Sequence, residues 1–572
     1  MISILAWRRR ALMWVAAALT ALPAAAGDIY VGPDGSVAAA LRQAREWRRL
    51  QRAEARDGVR IHLADAVYAA DEPLFLRPED SGTAEAPTVI VGGTLSGGLP
   101  VTGWRREGQL WVAEAPRRGG RIVETRQLWV NGRKAQLARG GWARMKAFST
   151  ADRSITLPEE AMPREADTMR AELFVLQRWA CAILRIRRVE RRAGEVKLWF
   201  HEPESRLEFE HPWPQPVIDG ERGSSAAFVQ GARCLLDEEG EFWQSYPDGR
   251  IYYMPRQEDE ALCGANGGIA CQAVVPVLTT LVEIAGTEER PVEHIRFEGT
   301  RFCHAAWMAP SWRGHVTLQG GFPLIDAYKL EEPGLFHKAA LENQAWIARP
   351  EAAVHVECAR GIEFRDCTFE HLAATGLDME RRVHGSTIAG CLFHDIGGTA
   401  VMAGPFGEGA FETHIPYSGG ALCDSLTVSR CIVRDATNED WGAVGIACGY
   451  VSNTTVDACT VDSVNYSGIC MGWGWTARNS GMHHNSITNN IVSHYARHLY
   501  DAGGIYTLSR QPGSVISGNT ISAPEKAPFA TNDRAFAIYF DEATDGFTVT
   551  GNTMDPASIG WNQPGADMTV GP

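Results

Sequence analysis

Two aspartates lie beside tyrosines in the last part of the chain. Asp501 opens Asp501-Ala502-Gly503-Gly504-Ile505-Tyr506-Thr507, and Asp541 closes Ile538-Tyr539-Phe540-Asp541-Glu542. Carboxyl groups next to aromatic rings suit cleavage of a glycosidic bond: sugar faces stack on rings, one carboxylic acid protonates the leaving oxygen, and a second carboxylate acts as nucleophile or activates water. Asp501, Asp541 and Glu542 are the candidate catalytic residues. Glu439, Asp440 and Trp441, together with Trp473, Trp475, His498, Tyr506 and Tyr539, are the candidate substrate contacts. For His498 a structural hydrogen bond is the plainer reading, and an Asp at a strand end often serves only a turn. There is no His-Glu-x-x-His, paired Cys-x-x-Cys, Walker loop or Gly-x-Ser-x-Gly, so no metal and no cofactor is expected. Asp378 and Glu380, beside Arg381-Arg382, come nearest to the acidic cluster that a calcium-dependent lyase would need.

These residues need a rigid frame, and a repeat supplies it. From residue 295 the chain reads apolar, any, apolar, any, any, Cys or Asn, any, apolar, as in Ile362-Glu363-Phe364-Arg365-Asp366-Cys367-Thr368-Phe369. The pattern returns at Ile388/Cys391, Val428/Cys431, Val456/Cys459, Ile487/Asn490, Ile516/Asn519 and Val549/Asn552, at intervals of 24 to 40 residues. Period-two alternation makes each segment a short strand, which can bury its apolar face only against copies stacked above and below. A right-handed parallel β-helix is expected. A second column, Leu377, Ile446, Ile469, Ile505 and Ile538, keeps an eleven-residue offset to the first at Leu377/Ile388, Ile505/Ile516 and Ile538/Val549. In such a stack Tyr506 and Tyr539 point outward on neighbouring turns. The aligned cysteines should be unpaired thiols and the aligned asparagines an amide ladder.

The remaining segments divide the chain. Residues 1–26 read as a cleaved export signal: Arg8-Arg9-Arg10, an apolar run from Ala11 to Leu22, then Ala24-Ala25-Ala26. A periplasmic or secreted protein follows, with no membrane attachment after cleavage. Residues 27–92 hold an amphipathic helix, Val37 to Arg56, that caps the stack, and the first turns of the β-helix. Residues 93–285 lose the repeat and instead show hairpin signals, Asn131-Gly132 and Asp248-Gly249, which predict an inserted antiparallel β domain. Residues 286–572 form the main β-helix. The net charge is −14 with no basic run, which excludes a nucleic-acid grip and weakly favours neutral sugars over polyanions. The sequence leaves the oligomeric state open.

At Arg126-Gln127-Leu128-Trp129-Val130-Asn131-Gly132-Arg133, Asp501 to Leu508, Gln511-Pro512-Gly513 and Tyr539-Phe540-Asp541-Glu542 the chain resembles glycoside hydrolase family 141. The family comprises exported right-handed β-helix enzymes with α-L-fucosidase and xylanase activities. The resemblance implies a β-helix with an inserted β domain, a carbohydrate substrate, and two catalytic aspartates that fall on Asp501 and Asp541. Ala502, Ser509 and Ala543-Thr544 depart from its usual pattern and would reshape the neighbouring subsite. The competing readings are a polysaccharide lyase or epimerase on the same scaffold, and a carbohydrate-binding protein without catalysis.

Overall fold

The computed structural model describes residues 27–571 except 169, 212–213, 262–268, 328–345, 408–420 and 526. Residues 1–26, read above as an export signal, and part of the segment 320–349 therefore lie outside the described residues. The main body is a right-handed parallel β-helix built from three long parallel sheets of twelve, ten and ten strands, with a fourth, five-stranded sheet of very short strands. One coil shows the plan: Glu363–Arg365 on the first face, Thr368–Leu372 on the second, Thr375–Met379 on the third, then Val383–His384 before the chain returns to the first face at Thr387–Ala389. Phe364, Ile388, Val428, Val456, Ile487, Ile516 and Val549 fall in register on the first face. Leu377, Val401, Ile446, Ile469, Ile505 and Ile538 do so on the third.

The eight-residue repeat spans a corner rather than a single strand. Phe364 lies on the first face and Phe369 on the second, with Cys367 at the bend between them. The residue before the bend has positive φ in successive coils: Asp366 (51°), Gly390 (68°), Arg430 (51°), Ala458 (53°), Asn489 (56°) and Gly518 (67°). That conformation costs roughly 1–2 kcal/mol at a non-glycine residue, and the ladder side chain helps to offset it. Cys391, Cys431 and Cys459 each donate an S–H to the carbonyl of the inward residue one coil below, Phe364, Ile388 and Val428, at 3.5, 3.7 and 3.6 Å. Asn490, Asn519 and Asn552 donate in the same way to Val456, Ile487 and Ile516, at 3.0, 2.9 and 2.9 Å. The amide oxygen adds what a thiol cannot, since Asn490 Oδ1 accepts from Cys459 N at 2.9 Å and Asn519 Oδ1 from Asn490 N at 2.9 Å. Cys and Asn share the position because both place a donor over the same carbonyl.

The cap helix is shorter than the sequence suggests. It runs Val37–Arg49 from an N-cap at Ser36 and buries Val37, Ala40, Leu41 and Ala44. The chain then turns through Gln51 at φ 51° into a short 3-10 segment, Ala53–Ala55, which leaves Leu50 exposed.

The insertion leaves the second face after Thr94–Ser96 and rejoins the third at Val282–Ala285, so it is an enlarged loop between those two faces. It contains one eight-stranded sheet and seven strands of a second, whose eighth strand, His315–Val316, comes from the chain after the insertion; both are almost wholly antiparallel. Its hairpin Leu128–Val130/Arg133–Leu137 turns through Asn131 (52°) and Gly132 (70°), both left-handed as a two-residue hairpin turn requires. Because it starts and ends at one edge, it folds back over the later loops of that edge. Trp129 Nε1 donates to Asp395 Oδ2 at 2.6 Å, Lys134 pairs with Glu439 at 2.6 Å, and Tyr500 N donates to the Arg178 carbonyl at 3.1 Å.

Eleven of the described cysteines, the four of the ladder among them, are free thiols. Denatured, unreduced protein should accordingly release at least that number to a thiol reagent, and recovery of only a few would show that the ladder cysteines are bridged.

Candidate active site

Asp501 and Asp541 line one cavity of about 190 Å³ between the stack and the insertion. Strand Ala502–Thr507 pairs in register with Ala535–Phe540, placing Tyr506 against Tyr539. The two strands are linked crosswise. Tyr539 Oη donates to Asp501 Oδ1 at 3.0 Å, and Tyr506 Oη donates to Asp541 Oδ2. The two rings stand edge to face, 5.1 Å apart at 88°. Straight strands would hold the carboxylates apart, since Asp501 precedes its strand and Asp541 follows its own. Asp501 itself turns the chain, with φ 59° and its N–H donating to the Arg534 carbonyl. The glycines after it do not form that bend. Gly503 and Gly504 are in the strand, where a Cβ on Gly504 would meet Ile521 Cγ2 at 2.5 Å.

The two acids have different surroundings. Burial pushes the Asp541 carboxyl up to about 6, against the hydrogen bonds from Tyr506 and Asn562 that favour its ionised form, the latter at 2.6 Å. The charge of Asp501 adds to the rise. Burial also raises Asp501, but Arg534, whose Nε lies 3.1 Å from Oδ1, and Tyr539 oppose it. Arg534 further donates to Tyr539 Oη at 2.7 Å. Gln319, just after strand His315–Val316, donates to Tyr506 Oη at 2.9 Å and Tyr466 Oη at 3.2 Å, and Tyr466 donates to the Asp501 carbonyl at 3.1 Å. Glu542 lines the same cavity.

Several residues of this cavity have no mark in the sequence. Arg178 and Trp179 come from the tip of an insertion hairpin, Gln319 from the turn after strand His315–Val316, and Asn562 and Gln563 from the coil after Asp541. Their sequence distance from Asp501 hides them. Tyr466 alone carried a signal, since it occupies the bend between second and third faces one coil before Asp501.

Other expected contacts are corrected. Tyr506 and Tyr539 point away from the helix interior, yet they are 4 % and 1 % exposed because the insertion covers them, so they present hydroxyls to the acids rather than open faces to a sugar. Trp473 and Trp475 do not line the carboxylate cavity. Trp473 is 3 % exposed and packs on Phe322, Phe406 and Trp475 at 5.2, 5.2 and 4.7 Å. Asp440 also faces elsewhere: it accepts from Gly442 N at 3.1 Å and sits 3.1 Å from His315 Nε2. Glu439 and Trp441 line a second cavity. His498 stacks on Trp441 at 4.1 Å and bonds Asn465 Oδ1 at 2.7 Å, while burial lowers its pKa to about 4. It is a hydrogen-bonded spacer outside the cavity of the two acids.

Asp378, Glu380 and His355 bring ligand atoms within 4.8 Å of one another, the distance at which a cation could be held. The groups already compensate each other. Arg349 Nε donates to Asp378 at 3.0 Å, and His355 joins Glu283 and Glu380 at 3.0 and 2.8 Å. Burial lowers His355, but those carboxylates outweigh it and push its pKa up to about 10, so a cation, the imidazolium, already stands among the acids.

Two outcomes follow from this packing. Trp473→Ala should lower stability by about 3–5 kcal/mol in thermal or denaturant melts. A near-neutral effect would mean that the ring is not part of the core. For Asp541, the folded state holds its proton up to about pH 6 whereas the unfolded chain releases it near 3.8, so folding loses stability as pH rises through that interval. Asp541→Asn should then melt above the wild type at pH 7–8, with the difference fading below about pH 4. Equal melting temperatures at neutral pH would contradict the burial argument.

Comparison with known proteins agrees with the geometry. A family model described as the GH141 insertion domain matches residues 108–256, and a right-handed β-helix region matches 417–561. A solved structure titled "Glycoside hydrolase" is 38 % identical, covers 95 % of this chain and 96 % of its own, and superposes with a TM-score of 0.90. The complex of XylC with xylose (9 % identity, 92 % of this chain and 69 % of that one, TM-score 0.41) and the Streptococcus pneumoniae adhesin PfbA (14 %, 46 % and 57 %, 0.27) are too distant to bear on the site. Comparison with curated proteins gives no match. An insertion domain of this kind on a right-handed β-helix, with end-to-end likeness to a solved hydrolase, places the chain in glycoside hydrolase family 141.

Proposed function

We propose that Asp541 is the proton donor and Asp501 the carboxylate acting on the anomeric carbon of a terminal or internal sugar held between them. The observation that carries this reading is the asymmetry of the pair. Burial raises both carboxyls, Asp541 to about 6, while at Asp501 the opposing Arg534 and Tyr539, which favour its charge, hold back the rise. Two nearby carboxyls whose surroundings push them apart can divide acid and base work. Asp541 gives its proton to the glycosidic oxygen as the bond breaks, Asp501 attacks the anomeric carbon or takes a proton from water that does, and water ends on the sugar. Tyr506 and Tyr539 fix both carboxyl orientations, and Arg178 and Trp179 close the cavity from the insertion side. Export belongs to the same proposal and rests on the arginines, apolar run and alanines of residues 1–26.

The lyase or epimerase reading would place its chemistry at Asp378 and Glu380, where Arg349 and His355 already compensate the carboxylates. Product analysis on a panel of neutral and acidic plant oligosaccharides separates the two: a hydrolase releases reducing sugar with no ultraviolet-absorbing unsaturated uronate.

Asp501→Asn and Asp541→Asn should each lower kcat by roughly 10²–10⁴-fold in folded protein, and near-normal turnover in either would remove that residue from the mechanism. The rate should fall above about pH 6 as Asp541 loses its proton. Tyr506→Phe deletes a hydrogen bond that favours the ionised acid, so the alkaline limb should move to higher pH. A shift to lower pH would reverse the assigned role of that bond.

A further inference from the structure

The loop edge that carries Asp501 holds a second cavity, of about 220 Å³, also lined from both the stack and the insertion. Its stack side is the loop with Asn438, Glu439 and Trp441, which follows strand Ile432–Ala436. That loop lies two coils before the loop of Asp501, roughly 10 Å along the axis. The two levels are tied together. Trp441 stacks on His498 at 4.1 Å, His498 bonds Asn465 at 2.7 Å, and Asn465 Nδ2 donates to the Thr437 carbonyl at 2.8 Å.

The lining combines rings with hydrogen-bonding groups. Phe174, Phe228 and Trp441 supply apolar wall, and Lys134, Gln136 and Asn438 supply polar groups. Most charges in the lining are compensated within the protein: Lys134 by Glu439 at 2.6 Å, Arg126 by Glu172 at 2.7 Å, and Asp395 by His371 at 2.8 Å. Asp435 is a carboxylate of the wall that has no ion pair among the described residues. The Arg126 side chain, 3 % exposed, leaves its Nε donor without a hydrogen-bond partner, and a buried unsatisfied donor of this kind calls for an explanation.

We propose that this cavity is a second sugar subsite, which binds a neutral residue of an oligosaccharide whose reacting bond lies between Asp501 and Asp541. The inference rests on the reading of those two aspartates as the reacting pair. Rings beside uncharged or ion-paired donors and acceptors fit sugar faces and hydroxyls. With its cations already engaged and Asp435 uncompensated, the wall repels a uronate. The distance of two coils places there a different sugar residue from the one that reacts, so the enzyme gains affinity from chain length.

The test is calorimetric titration of Asp541→Asn with disaccharides and pentasaccharides from xylan, xyloglucan and arabinan, and with oligogalacturonides of the same lengths. The expected result is that a neutral series binds with the pentasaccharide at least about tenfold tighter than the disaccharide. That gain should be lost in Lys134→Gln and Gln136→Ala, both at polar positions outside the core, with Trp441→Phe as a conservative third variant. The proposal is overturned if no neutral series gains affinity with length, if the gain survives all three substitutions, or if oligogalacturonides show the larger gain. Activity in Asp501→Asn or Asp541→Asn would instead refute the reacting pair while leaving the length dependence readable. Inactive aspartate variants with no length dependence would refute the subsite alone.

Discussion

From Asp366 onward, the coils of the β-helix turn from the first face to the second through a left-handed residue followed by a Cys or Asn ladder side chain. At Arg430 and Ala458 that backbone conformation is unfavourable for an L residue, and the following Cys431 and Cys459 each place a donor over the carbonyl one coil below. The corner therefore couples each coil to its neighbour at a constant rise of about 4.8 Å. Loops between the second and third faces vary in length without disturbing it, because their ends are held by in-register strands. The site depends on this. Tyr506 can reach Asp541 and Tyr539 can reach Asp501 only because Ile505 and Ile538 are aligned.

The insertion uses the same freedom at a larger scale. It occupies the connection between the second and third faces of an early coil, and the cavity of Asp501 and Asp541 lies at later connections of that edge. Folding back over them, it excludes water from Tyr506, Tyr539 and Asp541 and supplies Arg178 and Trp179. Burial has a cost, since a carboxyl held near neutrality in the folded state opposes folding at neutral pH. The stability of the stack carries that cost, and in the proposed reaction the benefit is an acid with a proton to give. In the proposed mechanism, differences in burial and partners, rather than in residue type, separate the roles of Asp501 and Asp541.

Much of the fold and part of the site were legible in the sequence. A solenoid contact recurs in every coil, so the spacing of Ile388/Cys391 and Val428/Cys431 reports register directly, and Asn-Gly at residues 131–132 reports a hairpin because few other residues tolerate two left-handed conformations. Asp501 and Asp541 stood out as acids on strands one coil apart. What the sequence alone determined is this local and periodic order: which residues face inward, where the chain turns, and which acids share an edge. The tertiary structure decided what surrounds them. Trp473 became core and Asp440 turned to His315, while Arg178, Gln319 and Asn562 arrived at the cavity from segments with no repeat relation to it. The reason is physical: burial, ion pairing and the pKa of a buried carboxyl depend on all groups within a few ångströms, and the insertion brings those groups together across hundreds of residues of chain without any periodic signature.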